Sequence, residues 1–326
     1  ELREDEDTAE RIRSYFKSKG GNMPENNLKQ AMLPVGGTVF ENNHGTAPGA
    51  ALEKNGKCVI ILPGPPGELA PMFNESVRGF LKKYSDGAIV SHTVNIIGMG
   101  ESSVAEEIED MFDAKNPTVA PYAKSGEVRL RITAKAETAD EADKMCAPVV
   151  DEICSRLGDV VYGTDMNSIE ERVVALLKEK GKKIATAESC TAGYIPKRLT
   201  DIPGASEVFE CGIVSYSNDI KTKLLGVSPK TLETYGAVSE QTAREMALGA
   251  KHVSGADIAI STTGLAGPGG DGVLPGGLSF AAVTDGERTV VEKIVTGHEN
   301  DREYNRYVTA SRALNLARLM LEEKIK

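Results

Sequence analysis

Five cysteines are scattered through 326 residues, and no two stand in CxxC spacing. An odd, dispersed set (Cys58, Cys146, Cys154, Cys190 and Cys211) excludes a disulfide framework and reads as reduced thiols in a cytoplasm. It also excludes a zinc centre, which needs clustered Cys and His ligands. Histidine is scarcer still: His44, His92, His252 and His298 are all there are. Basic residues number 38 against 48 acidic ones, a net charge of −10. That balance argues against a general affinity for nucleic acid or anionic membranes. No apolar run is long enough to span a bilayer, and no signal peptide is visible, so a cytoplasmic location is expected. Repeats and low-complexity tracts are absent. The chain opens on Glu1 rather than Met, as a fragment or processed protein would.

What is present is an alternation of strand and helix signals over a length sufficient for two or three domains. Residues 1–84 begin with an acidic helical stretch, Glu4 to Lys19, and continue through "CVIIL", a strand, to the turn-rich "PGPPGEL" leading into a helix. Residues 85–165 read β-α-β-α-β: "SHTVNIIG", "SSVAEEIEDMF", "GEVRLRITAKA", "TADEADKMCAPVVDEICSRL" and "DVVYG". "EVRLRITAKA" alternates polar and apolar residues, the pattern of a strand with one wet face. Residues 166–326 start with the helix "SIEERVVALLKEKG", closed by Gly181. Strands "KKIATAE", "CGIVSYS", "ADIAISTT", "GLSFAAV" and "RTVVEKIV" then alternate with helices, and a long helix runs from about Asp301. The class is α/β, with a central sheet sandwiched in the last segment.

Three strand ends in that segment carry hydroxyls. "IATAESCTAGYIPKRL" places Ser189 where a strand turns into a helix, and ligands of open α/β sheets sit beyond the carboxyl ends of strands. A serine there can meet an anion or an oxyanion, and it can equally cap the helix. "GIVSYSNDIKTKLLGV" places Ser215, Tyr216 and Ser217 at the next strand end and Lys221 early in the following helix. A cation there opposes the helix dipole. It is either a solvated surface lysine or an amine desolvated so that its neutral form serves as base to a serine. "STTGLAGPGGDGVLPGG" follows the third strand, and its glycines let the backbone approach a ligand closely. A Ser-His-Asp triad would need a histidine. His252 lies within a helix away from these loops, and His298 stays open as a second candidate base. The Ser–Lys pair is favoured by elimination, with Cys190 the competing nucleophile and expected to be a small buried residue. The middle segment has the element order of a small RNA-binding module. Residues 86–160 nevertheless carry 15 acidic and 7 basic side chains and no GxxG clamp, so it reads as a spacer or packing domain.

"TAESCTAG", "GIVSYSNDIKTKLLGV", "YGAVSEQTAREMALGA" and "STTGLAGPGG" together resemble the C-terminal domain of the CinA family, the nicotinamide mononucleotide (NMN) deamidase also called PncC. The resemblance runs from about residue 168 to the end. Upstream, "PENNLKQAMLP", "GTAPG", "LPGPPGEL" and "GEVRLRITAKA" resemble the rest of CinA. There a molybdopterin-binding-like N-terminal domain is joined through a KH-type domain to the deamidase. The resemblance implies three parts: a partial molybdopterin-binding-like piece (1–84), a KH-like α/β linker (85–165) and an α/β sandwich amidase (166–326). It implies hydrolysis of the NMN carboxamide to nicotinate mononucleotide and ammonia, in pyridine nucleotide salvage and without a cofactor. The implied roles are Ser189 as nucleophile, Lys221 as base and Tyr216 in the catalytic site. Thr191, Ser206, Thr263, Gly264 and Arg302 are the implied substrate contacts, with helix N-terminal amides near Thr191 holding the oxyanion. The early strands of the family's N-terminal domain and its "GGLGPT"-type loop are missing from this chain. The family's metal-dependent ADP-ribose hydrolysis, which would need a divalent cation, is therefore not expected of it. A non-catalytic adaptor is the third reading, and a homodimer is the expected assembly.

Overall fold

The computed structural model describes residues 1–325, which divide into two compact units, Glu1–Asp86 and a larger one from Gly87 onward. In the first, β1 (Leu2–Glu4) pairs antiparallel with β2 (Met32–Pro34), and helix α1 (Glu6–Ser18) lies between them in sequence. Asp5 caps α1 by accepting the Thr8 N–H at 2.8 Å, and Ala9 and Ile12 are buried with Ala31. A second antiparallel sheet holds β3 (Thr38–Phe40), β4 (Gly49–Lys54) and β5 (Lys57–Ile61), the last being the "CVIIL" strand. Helices α2 (Pro66–Met72) and α3 (Arg78–Leu81) follow the "PGPPGEL" turn, and Met72 and Val77 pack with Phe40 and Ala51.

The second unit opens with a four-stranded antiparallel sheet of order β7-β8-β6-β9. Its elements are β6 (Ala88–Ile97), α4 (Glu101–Glu107), β7 (Thr118–Lys124), β8 (Glu127–Ala136), α5 (Ala139–Leu157) and β9 (Val161–Thr164). Strand β7 has no counterpart in the sequence reading. "PTVAPYAK" carries two prolines, which weaken any strand signal. The fold tolerates Pro121 because β7 is an edge strand, where a missing N–H leaves no ladder bond unmade. Helix α5 begins with a reciprocal capping box between Thr138 and Glu141 and buries Ala142, Cys146 and Ile153 against Leu130 and Ile132.

Beyond it stands a five-stranded sheet of order β11-β10-β12-β13-β14. The elements are α6 (Ile169–Lys180), β10 (Ile184–Glu188), α7 (Tyr194–Thr200), β11 (Phe209–Val214), α8 (Asn218–Leu225), α9 (Pro229–Tyr235), α10 (Glu240–Ser254), β12 (Ile258–Gly264), β13 (Leu278–Thr284), β14 (Thr289–Val295) and α11 (Arg302–Leu321). Serines 168, 217 and 239 cap α6, α8 and α10, and Gly181, Gly226 and Gly255 end them in the left-handed conformation. β10 runs parallel to both β11 and β12, whereas β13 and β14 are antiparallel additions. Successive side chains of β10 point to opposite layers. Ile184 joins the core under α6 and α11, and Ala185 and Ala187 join the one under α8 and α10. The result is a three-layer α/β/α sandwich whose β10, β11 and β12 all end at one edge.

The four-stranded and five-stranded sheets meet at a polar seam. Buried Glu127 of β8 accepts the hydroxyls of Tyr162 (2.9 Å), Tyr307 (3.2 Å) and Ser311 (3.4 Å). Fully buried Arg318 of α11 donates to the Asp159 carbonyl at 2.6 Å.

Candidate active site

Strand register decides what gathers at the shared edge. Glu188, the last residue of β10, stands opposite Val214 of β11 and Thr262 of β12. Residues just past those positions therefore converge: Ser189 after β10, Ser215 and Tyr216 after β11, and Thr263 and the glycine-rich loop at the end of β12. All of them except the fully buried Ser215 line a cavity of about 320 Å³, together with Lys221, Ala237, Val238 and Arg302.

Lys221 lies one turn into α8, and its side chain is only 1% exposed. Its Nζ is 3.1 Å from Ser189 Oγ, 2.6 Å from the Ser215 carbonyl and 3.4 Å from the Tyr216 carbonyl. No carboxylate pairs with it among the described residues, so its burial is uncompensated. That burial lowers its pKa from the ordinary lysine value of 10.5. The helix dipole opposes a cation in the same direction. Arg302, the other cation of the cavity, is not the cause. Its Nη1 donates to the Gly267 carbonyl at 2.6 Å on an exposed side chain, and the lowering at Lys221 comes from desolvation.

Ser189 itself is not at the start of a helix. Its N–H donates to the Thr262 carbonyl at 2.9 Å, and a four-residue turn, Cys190 to Gly193, separates it from α7. The turn contains Ala192 at φ 51° and Gly193 at φ 88°, successive residues in left-handed backbone. The helix-terminus reading of Ser189 is corrected accordingly. The peptide N–H groups of Cys190 and Thr191, not those of α7, follow the serine directly, and neither donates to a backbone carbonyl among the described residues.

The remaining expected contacts divide. Thr263 is buried at the cavity wall, its hydroxyl donating to the Ala237 carbonyl at 2.6 Å, and Gly264 follows it. Tyr216 lines the cavity but is 65% exposed, and what it offers Lys221 is its backbone carbonyl. The Thr191 side chain is turned away: it is fully buried, its Oγ1 2.6 Å from Thr262 Oγ1, so the hydroxyl braces the turn and does not line the cavity. Ser206 is exposed in the turn before β11 and is absent from the cavity. The strand that follows it runs parallel to β10, so Ser206 sits at the opposite edge of the sheet. It is roughly 15 Å from Ser189 on the rise of five extended residues.

The competing candidates lose their ground. Cys190 lies beside the cavity, but burial pushes its thiol up to about 12, which suppresses the nucleophilic thiolate. His252 is exposed on α10. His298 packs against Tyr304 with ring centroids 4.3 Å apart and planes tilted by 45°, and it does not line the cavity. Among the described residues no group of His, Cys, Asp and Glu is arranged to hold a metal ion, and no helix is long and apolar enough to cross a membrane.

Two residues of the site passed unnoticed in the sequence. Glu188 is 1% exposed, and its Oε2 accepts the N–H groups of Gly193 (3.1 Å) and Ile195 (3.2 Å). A carboxylate closing the otherwise apolar run "IATA" was the available signal. Arg306 was also missed. Its Nη2 donates to the Thr191 carbonyl at 2.7 Å, holding the same turn from α11.

Comparison with known proteins places the chain. Residues 166–321 match the CinA C-terminal domain, and residues 91–163 match the damage-inducible protein CinA KH domain. A putative competence-damage inducible protein of Clostridium beijerinckii is 52% identical over 303 residues, 92% of this chain and 74% of that protein. A CinA-like protein of Desulfovibrio desulfuricans is 46% identical over 320 residues, 97% of this chain and 75% of its own. The crystal structure of the competence/damage inducible protein CihA from Agrobacterium tumefaciens is 38% identical. It covers 47% of this chain and 93% of its own, with a TM-score of 0.45. With relatives this similar along nearly its whole length, the chain belongs to the CinA family.

Proposed function

We propose that the cavity hydrolyses the carboxamide of nicotinamide mononucleotide to nicotinate mononucleotide and ammonia. The observation that carries this reading is the buried Lys221 amine, 3.1 Å from Ser189 Oγ and without a carboxylate to keep it charged. Neutral Lys221 accepts the Ser189 proton as Oγ attacks the carboxamide carbon. The tetrahedral intermediate collapses with cleavage of the C–N bond. The ammonium of Lys221 returns its proton to the departing nitrogen, and ammonia leaves an acyl-serine. Water, deprotonated by the same amine, releases the carboxylate and restores Ser189. The Cys190 and Thr191 N–H groups are the nearest donors for the oxyanion. The chemistry calls for no cofactor.

The lining supports an anionic substrate. Arg302 is its one permanent cation beside the Lys221 amine, and the lining includes no Asp or Glu. Arg302 spends one donor on the Gly267 carbonyl, so the rest of its fork suits a phosphate. Ammonia release from the mononucleotide by the purified chain, with Ser189→Ala as control, tests the proposal. Release that persists in a folded Ser189→Ala protein would overturn the serine mechanism. No release from the parent chain would overturn the substrate assignment.

A further inference from the structure

The turn that carries Ser189 is poorly supported by its own residues. Gly193 occupies the N-cap position of α7 and has no side chain with which to accept the free N–H groups of the first turn. Ala192 holds a left-handed conformation that an alanine resists. Unsupported, such a turn would relax and carry Ser189 with it.

Glu188 supplies the missing support from inside. Its carboxyl reaches forward over the turn, and one oxygen accepts two N–H groups, those of Gly193 and Ile195. The strand-end carboxyl thus does the work of the absent cap. The second oxygen is buried without a partner. Its desolvation raises the carboxyl pKa, opposed by hydrogen bonds from Thr191 and the α7 amides. Burying a carboxyl in this way is costly, so capping α7 alone is a weak reason for its presence.

The backbone of Glu188 supplies a second reason. Its carbonyl accepts the Ser215 N–H at 2.8 Å, and the Ser215 carbonyl holds Lys221 Nζ at 2.6 Å. One residue is therefore tied by its side chain to the turn of the nucleophile and by its main chain to the seat of the base. From this geometry we infer that Glu188 is a positioning residue, holding Ser189 Oγ at working distance from Lys221 by accepting the Gly193 and Ile195 N–H groups. The inference rests on the Ser–Lys reading above but not on the identity of the substrate.

A serine-directed fluorophosphonate probe measures Ser189 reactivity whatever the natural substrate is. The test compares its second-order labelling rate, and kcat and KM for ammonia release, in the full chain and in Glu188→Gln and Glu188→Ala. Thermal melts of each report folding. Glutamine keeps an acceptor for both N–H groups and should label within about threefold of the parent. Alanine frees the turn, and a misplacement of about 1 Å costs on the order of 10²-fold, in labelling and in kcat with KM little changed. Should alanine fail to fold, Glu188→Asp, one methylene short of both donors, takes its place with the same expectation. Labelling at the parent rate in a folded alanine or aspartate variant would overturn the inference. So would a glutamine variant as slow as alanine, since charge rather than acceptor geometry would then matter. A parent chain labelled at Ser189 yet inert toward the mononucleotide would count against the substrate reading alone, and the labelling rates would still judge Glu188.

Discussion

Replacing Lys221 by arginine and by methionine separates base catalysis from mere positive charge. The wild-type amine is buried, has no acid partner, and is surrounded by the Ser189 hydroxyl and the Ser215 and Tyr216 carbonyls. Arginine keeps a cation but cannot deprotonate at any useful pH. Loss of a general base costs about 10²–10⁴-fold in rate, or about 3–5 kcal/mol of transition-state stabilisation. Both variants should therefore lose ammonia release on that scale. The acidic limb of the kcat/KM profile, set by loss of the lysine proton below the ordinary 10.5, should vanish in the methionine variant. Stability should move the other way. Between the lowered folded pKa and 10.5 the unfolded chain holds a proton that the folded chain does not, so parent stability rises with pH across that window. Below it, the folded chain carries the full cost of a buried ammonium. Methionine removes that cost but strands the Ser215 carbonyl, a loss of about 1–3 kcal/mol. The difference in melting temperature, methionine variant minus parent, should thus be most favourable at low pH and shrink toward pH 10. Arginine retaining most of the parental kcat would refute the base assignment and leave a water molecule as the remaining candidate, since His298 does not line the cavity.

Cys190→Ala should retain near-parental turnover, because its buried thiol, pushed up to about 12, is not a nucleophile at neutral pH; loss of mononucleotide turnover with an unchanged melt would contradict this. Glu127→Leu should destabilise the larger unit by about 2–4 kcal/mol in denaturant melts, since Tyr162, Tyr307 and Ser311 lose their acceptor inside the seam; a parental midpoint would mean the hydroxyls find other partners. His92 bonds Asp165 at 2.6 Å and Asp143 at 2.9 Å, and the Asp165 bond leads the causes that raise its pKa above 6.5. Its contribution is whole below 6.5 and lost as pH rises through the raised value, so His92→Gln should flatten the pH dependence of stability in that window. An unaltered slope would show that the imidazolium adds nothing. Arg302→Ala should raise KM for a phosphorylated substrate more than it lowers kcat, and equal effects on a substrate lacking the phosphate would argue against a phosphate contact.

Local pattern in the sequence carried the element order from α6 to α11, apart from α9, and singled out Ser189 and Lys221, because caps, C-terminal glycines and apolar runs act over a few residues. Strand β7 escaped it, since prolines erase a strand signal that only an edge position makes tolerable. Helix α9 escaped it as well. The rest was decided by tertiary structure. Parallel pairing of β11, β10 and β12 placed the ends of those strands at one edge, and the same pairing sent Ser206 to the other. Thr191 looked like a ligand contact until Thr262, 71 positions away, turned it inward. Glu188 carries no local signal of its role, which arises only because the turn folds back over it. Above all, a lysine seven residues past a strand end is an ordinary surface residue by its local sequence. Its altered proton affinity comes from desolvation by elements remote in the chain, a sum that no local window contains.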